Sequence, residues 1–466
     1  MKNNFKKKLV VAGLSVSLLG GIGLNSTAIL GLPQTAGVTA EAATSAKDVK
    51  DFKEFESALQ NASVTEINVK GNITFKKNVT NIPARNLTIN GNKEQGYIID
   101  SGHYSIYGKN SSLREANEGK NNIFSIINAN LIGNQADGRF FTGGSGNGPS
   151  SYGWDVFAKD VKYEGARFVH LSEGKLTFDG KNEIDTRAEN AWVHDLEFLE
   201  GSEYNGSAAG KDHGQFSAFY FNGRLIDGKA TGKVEIGGNA KVNIEISKQS
   251  DVNYYYPAFY DKVYQVNVGD RAELNVNAAG VAFQFIPRAD YKNVPSLNLG
   301  KNTSVKFNGR GGGKYQSMKI QQYGTQINQD TGSELKIYGN SNQGVVESIY
   351  EFAGFNLYGA KNLDIANKKP NSPLFRGDRT FVQGYNESQI KTWSRDGGKY
   401  PESDVKDRFS GNRYFNTYVG LYGDAKDNDV SAEFFGYSKE ASEKFQMADY
   451  GRVVFQGTAA NSGEID

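Results

Sequence analysis

Lys233-Val234-Glu235-Ile236-Gly237-Gly238-Asn239-Ala240-Lys241-Val242-Asn243-Ile244 reads as two short strands around a turn. In each half, Val or Ile takes every second position and Lys, Glu or Asn takes the others, the period of a strand with one buried face. Gly and Asn between the halves tolerate left-handed backbone, as a tight turn requires. The pattern returns at 265–276, at 296–299 with 304–307, at 326–327 with 334–337, and at 356–357 with 362–365. Equivalent apolar positions, Val242, Leu274, Val305, Leu335 and Leu363, are separated by 32, 31, 30 and 28 residues. A nearly constant step means one supersecondary unit stacked many times.

No copy could bury its apolar face alone; stacked copies form a continuous core. A unit of this length holds more than one strand per turn plus a loop. The expected fold class is therefore all-β, a right-handed parallel β-helix. A leucine-rich repeat fits less well because its Leu/Asn spacing is missing, and a β-propeller would need four strands in each blade. Looser copies lie upstream, at 86–89, 129–132, 160–163 and 175–178. Before them, Val49, Phe52, Phe55, Ala58 and Leu59 fall on one face at helical spacing, which predicts an N-terminal cap helix over 48–61. After Pro370 the repeat blurs. The expected organisation is a signal peptide over 1–42, a capped β-helix over 43–375, and terminal coils with an irregular C-terminal cap over 376–466.

The signal peptide is read from Lys2, Lys6, Lys7 and Lys8, the apolar stretch from Leu9 to Leu24, and the small-x-small pattern Ala40-Glu41-Ala42. The alternative is an uncleaved anchor, which the Gly and Ser in the apolar run disfavour. No second apolar stretch is long enough to cross a bilayer, so no membrane span is expected after cleavage. The chain has no cysteine, so its stability has to come from a large core. With 53 Lys and Arg against 52 Asp and Glu, there is no basic surplus for nucleic acid. The 55 Gly and 9 Pro suit tight turns between short strands better than a collagen or a Pro-rich stalk.

Three stretches carry a resemblance. They are Phe52-Lys53-Glu54-Phe55 through Ala58-Leu59, Val64-Thr65-Glu66-Ile67-Asn68-Val69-Lys70-Gly71-Asn72-Ile73, and Arg85-Asn86-Leu87-Thr88-Ile89-Asn90-Gly91. They resemble the opening of the pectate-lyase-like adhesive domains of Gram-positive surface proteins, in which a short helix precedes the first coil and an LTI-x-G strand follows. Ser372-Pro373-Leu374-Phe375 and Ile390-Lys391-Thr392-Trp393 are similar to the closing coils of that family. The resemblance implies a right-handed β-helix at the cell surface, secreted or wall-associated, and adhesion rather than catalysis. Its partner would be a host or cell-wall glycan or a surface protein. No LPxTG signal or paired WxL motif is found, so covalent anchoring is not expected.

β-Helices also carry polysaccharide lyases and glycoside hydrolases, the alternative function. Asp179 with Glu183 and Asp185, and Asp424 with Asp427 and Asp429, are carboxylate clusters, but neither has the loop of a hand-type calcium site. Trp192-Val193-His194-Asp195 is similar to a lyase strand with His and Asp exchanged; it is read as a rung with Trp192 and His194 on one face. His103, His170, His194 and His213 are not spaced as metal ligands. No nucleophile elbow is present. Gly309–Lys314 lacks the spacing of a phosphate loop, and Gly143–Gly148 reads as a plain flexible loop. No catalytic residue, metal or cofactor is expected. The candidate binding residues are Tyr254, Tyr255, Tyr256 and Tyr260, within a loop read as an excursion between two coils. Tyr pairs a flat apolar face with a polar tip, which suits sugar rings and protein partners.

Overall fold

A computed structural model describes residues 45–110, 121–133, 138–143, 153–209, 216–223, 229–247, 255–286, 294–310, 314–348, 353–385, 388–410, 417–423, 431–435 and 443–457. The signal peptide, Tyr254, His213, the Asp424–Asp429 cluster and most of the Gly143–Gly148 loop lie outside these residues.

The described chain is an all-β solenoid of stacked coils with parallel strands. Each full coil lays one strand on each of three faces. On the first face, Gly232–Ile236 pairs in parallel with Val263–Val268, then Ser296–Leu299, Gln326–Gln329 and Ala353–Tyr358. On the second, Lys241–Ile246 pairs with Glu273–Ala278, then Ser304–Gly309, Glu334–Gly339 and Asn362–Asn367. The register places Val242 opposite Leu274, Leu274 opposite Val305, Val305 opposite Leu335 and Leu335 opposite Leu363. The steps read from the sequence are therefore the coil lengths. Upstream coils vary more in length: Leu176 lies opposite Leu196 and Ile184 opposite Gly206, but Leu87 lies opposite Phe124 and Leu196 opposite Val234.

The inward columns are dry. All five of those aliphatic residues are 0 % exposed, and each fully buried side chain of this kind is worth roughly 1.5–3 kcal/mol. Aromatic rings fill the core as well, with Phe178 stacked on Phe198 at 5.4 Å and Phe283 on Phe307 at 4.7 Å. Outside, the first face carries an amide ladder. Asn267 donates to Glu235, Asn298 to Asn267, Asn328 to Asn298 and Asn356 to Asn328, each at 2.8 Å. Between the first and second faces, Asn239, Arg271, Asn302 and Gly332 occupy one turn position with φ of 59°, 59°, 56° and 73°. Gly269, two residues before Arg271, is required by proximity: a Cβ there would lie 2.8 Å from the Gly238 amide nitrogen of the coil below.

The helix spans Phe52–Gln60 rather than 48–61. Asp51 caps it, accepting from the Glu54 amide at 2.9 Å, while Glu54 accepts from the Lys50 amide at 3.0 Å. This reciprocal cap stops the helix at Asp51, so Ala46–Val49 forms a strand against Glu66–Val69. Phe55, Ala58 and Leu59 are buried in the first coil. At the far end the pairing changes direction. Phe375–Tyr385 makes the last parallel contacts, and its outer edge pairs antiparallel with Thr417–Gly423. Tyr450–Gly457 pairs antiparallel with both Asn362–Asn367 and Ser388–Ser394. No helix among the described residues is long and apolar enough to cross a membrane.

Candidate ligand-binding face

The third face is built from strands of three or four residues. Arg167–His170 pairs in parallel with Ala191–Val193, which pairs with Phe219–Phe221 and then Phe259–Asp261. The stack continues through the Ala258 N–H to Ala282 C=O bond at 3.1 Å into Phe283–Phe285, Met318–Ile320, Val346–Ser348 and Phe375–Gly377. A three-residue strand has room for one alternation. Phe219 and Phe221 point into the core and Tyr220 points out.

The outward residues form one row. His170 lies opposite Trp192, Trp192 opposite Tyr220, and Tyr220 opposite Tyr260. Centroid separations are 4.6 Å for His170–Trp192, 5.1 Å for Trp192–Tyr220 and 5.7 Å for Tyr220–Tyr260. Tyr256 meets Tyr260 edge-on at 4.9 Å, Tyr255 meets Tyr256 at 5.7 Å, and Tyr315 meets Tyr255 at 5.7 Å. Beyond the rings the row becomes polar. Gln284 donates to the Tyr255 hydroxyl at 3.0 Å and to Gln321 at 2.7 Å. Lys319 pairs with Glu347 at 3.1 Å, and Arg376 reaches the same carboxylate at 3.4 Å. From His170 to Arg376 the row runs about 34 Å at the usual strand spacing.

The upper end is anchored from beneath. The Arg167 guanidinium lies 4.5 Å from the Trp192 ring centre and pairs with the buried Glu189, at 3.2 Å through Nε and 2.5 Å through Nη2. Burial, then the nearby Arg139 and Arg167, lower the His170 pKa to about 3, so its ring is neutral in the row. Trp192, Tyr220, Tyr255, Tyr256 and Tyr260 are all partly exposed. Flat rings in a continuous line, each with one accessible edge or face, can stack on sugar rings or on aromatic and aliphatic side chains.

Of the sequence-predicted residues, the structure brings Tyr255, Tyr256 and Tyr260 into this row. It corrects their setting, because Phe259–Asp261 is a rung of the third face and not an excursion from the coil. Trp192, Tyr220 and Tyr315 were missed. A signal exists for Tyr220: Ala218-Phe219-Tyr220, Ala258-Phe259-Tyr260 and Ala282-Phe283-Gln284 repeat one motif, too short to register as alternation, and it does not extend to Trp192 or Tyr315.

The expected Trp192/His194 rung is also corrected. His194 sits at the corner between Ala191–Val193 and Asp195–Phe198, where the alternation ends. It is buried, with Nδ1 3.0 Å from Asp195 and Nε2 2.9 Å from Thr231. The carboxylates of the 179–185 cluster turn to separate partners. Asp179 pairs with Lys159 at 2.7 Å, Glu183 with Lys162 at 3.9 Å, and Asp185 accepts from Ser207. Among the described residues, no three His, Asp or Glu side chains are grouped to hold a metal ion. On the first face, Glu197 and Glu235 stand in register on neighbouring coils.

Two solved structures align with the chain, and the first shares its fold. L. reuteri 100-23 SRRP aligns with a TM-score of 0.50 and 14 % identity over 73 % of this chain and 99 % of that one. L. reuteri 53608 SRRP aligns with a TM-score of 0.37 and 16 % identity over 66 % and 98 %. No curated protein matches the chain. Residues 46–170, which run from the first strand through the helix to His170, match the family of the pectate lyase-like adhesive domain, as the motifs at 52–91 indicated.

Proposed function

We propose that this chain is a secreted or cell-wall-associated adhesin of a Gram-positive bacterium. It would be a right-handed β-helix, exported by the leader over residues 1–42, in which residues 43–375 carry the binding surface and 376–466 close the stack. The right hand follows from the general preference for right-handed crossovers between parallel strands. The observation that carries the binding role is the row of partly exposed rings from Trp192 to Tyr255, and the adhesive description of the matched family supports it. The ligand is a glycan or a surface protein that offers flat or apolar groups along a line.

The test is attachment to cells and to a glycan array by wild type and by a Trp192→Ala, Tyr220→Ser, Tyr260→Ser triple variant. Each stacked ring contributes about 0.5–1.5 kcal/mol beyond its buried area, so attachment should fall at least about tenfold. Unchanged attachment with an intact fold would remove the row from the function. The glycans recovered from wild type should be uncleaved.

One observation favours an enzyme. Burial raises the Glu235 pKa, as do Glu197 and Asp195, and a raised carboxyl beside a second one is how a glycosidase pair begins. Both carboxylates are already engaged, however. Glu197 accepts from Lys175 at 2.6 Å and Thr177 at 3.2 Å, and Glu235 from Asn267 at 2.8 Å. Binding without cleavage is the better reading.

A further inference from the structure

The polar half of the third face runs in one direction, and a carboxylate sets it. Glu347 is 5 % exposed, and an ionised carboxylate only accepts hydrogen bonds. It accepts from Gln321 Nε2 at 3.0 Å, beside Lys319 at 3.1 Å and Arg376 at 3.4 Å. Gln321 therefore turns its Oε1 to the neighbouring coil, where it accepts from Gln284 Nε2 at 2.7 Å. The same nitrogen donates to the Tyr255 hydroxyl at 3.0 Å. Reversing one amide would set donor against donor or acceptor against acceptor. At the outer end the Tyr255 oxygen is an acceptor for Gln284, so its proton is left for a group outside the chain of amides. Gln284 Oε1, on a side chain only 1 % exposed, accepts from no described residue. A buried acceptor without a donor is costly, which points to a ligand that supplies one.

We propose that this end of the row recognises the N-acyl group of a neutral amino sugar, with Glu347 as the positioning residue that orients Gln321, Gln284 and Tyr255 for it. The proposal rests on the reading of the row as the ligand-binding face and names its ligand class. The acyl carbonyl accepts from the Tyr255 hydroxyl, and the acyl N–H donates to Gln284 Oε1. The acyl methyl lies against Tyr255, Tyr256 and Tyr315, whose rings meet edge to face at 5.7 Å. Gln284 bonds directly to Tyr255, and a side-chain rotation of the kind common at interfaces brings its oxygen to the ligand. One acyl group is enough, so no repeat along the row is required.

The surroundings disfavour other groups. Lys319 lies 5.3 Å from the Tyr255 ring centre and 6.0 Å from that of Tyr315, and Lys314 lies 5.3 Å from Tyr315. A protonated amine would be repelled there. A carboxylate would set its lone pairs against Gln284 Oε1, and Lys319 is already paired with Glu347. An extended peptide also offers amides, but one per residue. Those over Tyr256 and Tyr260 would lose water without gaining a partner. A sugar chain carries its amide on a substituent and turns C–H faces to the rings.

The test is calorimetric titration of the whole protein with β-1,4-linked tetramers of N-acetylglucosamine, glucosamine, glucose and glucuronate, and with an N-acetylated tetraglycine amide. The N-acetylglucosamine tetramer should bind at least about tenfold more tightly than any of the others. Tyr255→Phe removes only the hydroxyl; it should bring the N-acetyl tetramer down to the affinity of the glucose tetramer and leave the latter unchanged. Glu347→Gln lets the amide chain reverse and should shrink the N-acetyl preference in the same selective way. A merely structural role would weaken both tetramers alike. No binding of the N-acetyl tetramer, equal or tighter binding of the glucose or glucuronate tetramer, or equally tight binding of the peptide would overturn the proposal. So would an N-acetyl preference that survives in folded Tyr255→Phe protein. These outcomes are scored on soluble ligands alone, so they stand apart from cell attachment by the Trp192/Tyr220/Tyr260 variant, which tests the row itself.

Discussion

Arg167 holds together two parts of the molecule that its sequence neighbours do not suggest. Its guanidinium forms a nearly buried pair with Glu189 and supports the face of Trp192. Removing one partner of such a pair strands the other charge. We expect Arg167→Met to lower stability by about 3–5 kcal/mol and Arg167→Met with Glu189→Leu to recover most of it. Thermal melting of the single and double variants decides this; equal losses would mean that packing, not charge, dominates the site. His170, next in the row, makes a pH prediction. Its folded pKa is depressed to about 3 from an ordinary value near 6.5. As pH falls below the ordinary value, the unfolded chain takes up a proton that the folded chain refuses. Stability is therefore complete above about pH 6.5 and declines as pH drops toward 3, by up to about 1.4 kcal/mol per unit from this group. A His170→Phe variant should lose part of its acid sensitivity, so its melting temperature should fall less than that of wild type between about pH 7 and pH 4. Parallel pH profiles would refute this.

At the scale of the element, the turns between the first and second faces set how closely coils approach. Gly237 and Gly269 follow equivalent strands, and at each an added Cβ would lie 2.5 and 2.8 Å from a backbone nitrogen of the turn below. Backbone atoms cannot retreat as a flexible side-chain end can. Gly269→Ala should therefore cost about 1–3 kcal/mol by chemical denaturation, whereas Asn239→Gly, which keeps the left-handed φ, should cost no more than a few tenths. A neutral Gly269→Ala would show that the coil spacing is softer than the packing indicates. The alternating strands themselves were legible, because four to six residues are enough to display period two. The third-face strands were not. With one alternation each, Ala218–Phe221 and Ala258–Tyr260 look like aromatic-rich loops.

For the whole molecule, the two ends pose the problem that any open solenoid faces, since an unpaired strand recruits another chain. Tyr450–Gly457 lies antiparallel along the last second-face strand and Thr417–Gly423 along the last first-face strand. Reversing direction ends the parallel register, so a further coil cannot simply add. Truncation before Tyr450 should expose the edge at Asn362–Asn367, and the shortened protein should self-associate in light scattering while keeping a β-rich circular dichroism spectrum. A monomeric truncation product would mean that other residues shield this edge.

What the sequence determined by itself was the stack. Coil length is written in the distance between equivalent apolar residues, and each such residue must face the core wherever its coil lies. The Tyr255–Tyr260 cluster was also visible, as a local concentration of one residue type. Only the tertiary structure decided that Tyr260 continues a line through Tyr220 and Trp192, and that Arg167 supports that line. Trp192 and Tyr220 are 28 residues apart and Tyr220 and Tyr260 are 40, because loops of different length separate the same face in successive coils. Parallel pairing cancels those differences in space. No fixed spacing along the chain records them, so a surface assembled from single outward residues becomes visible only once the coils are stacked.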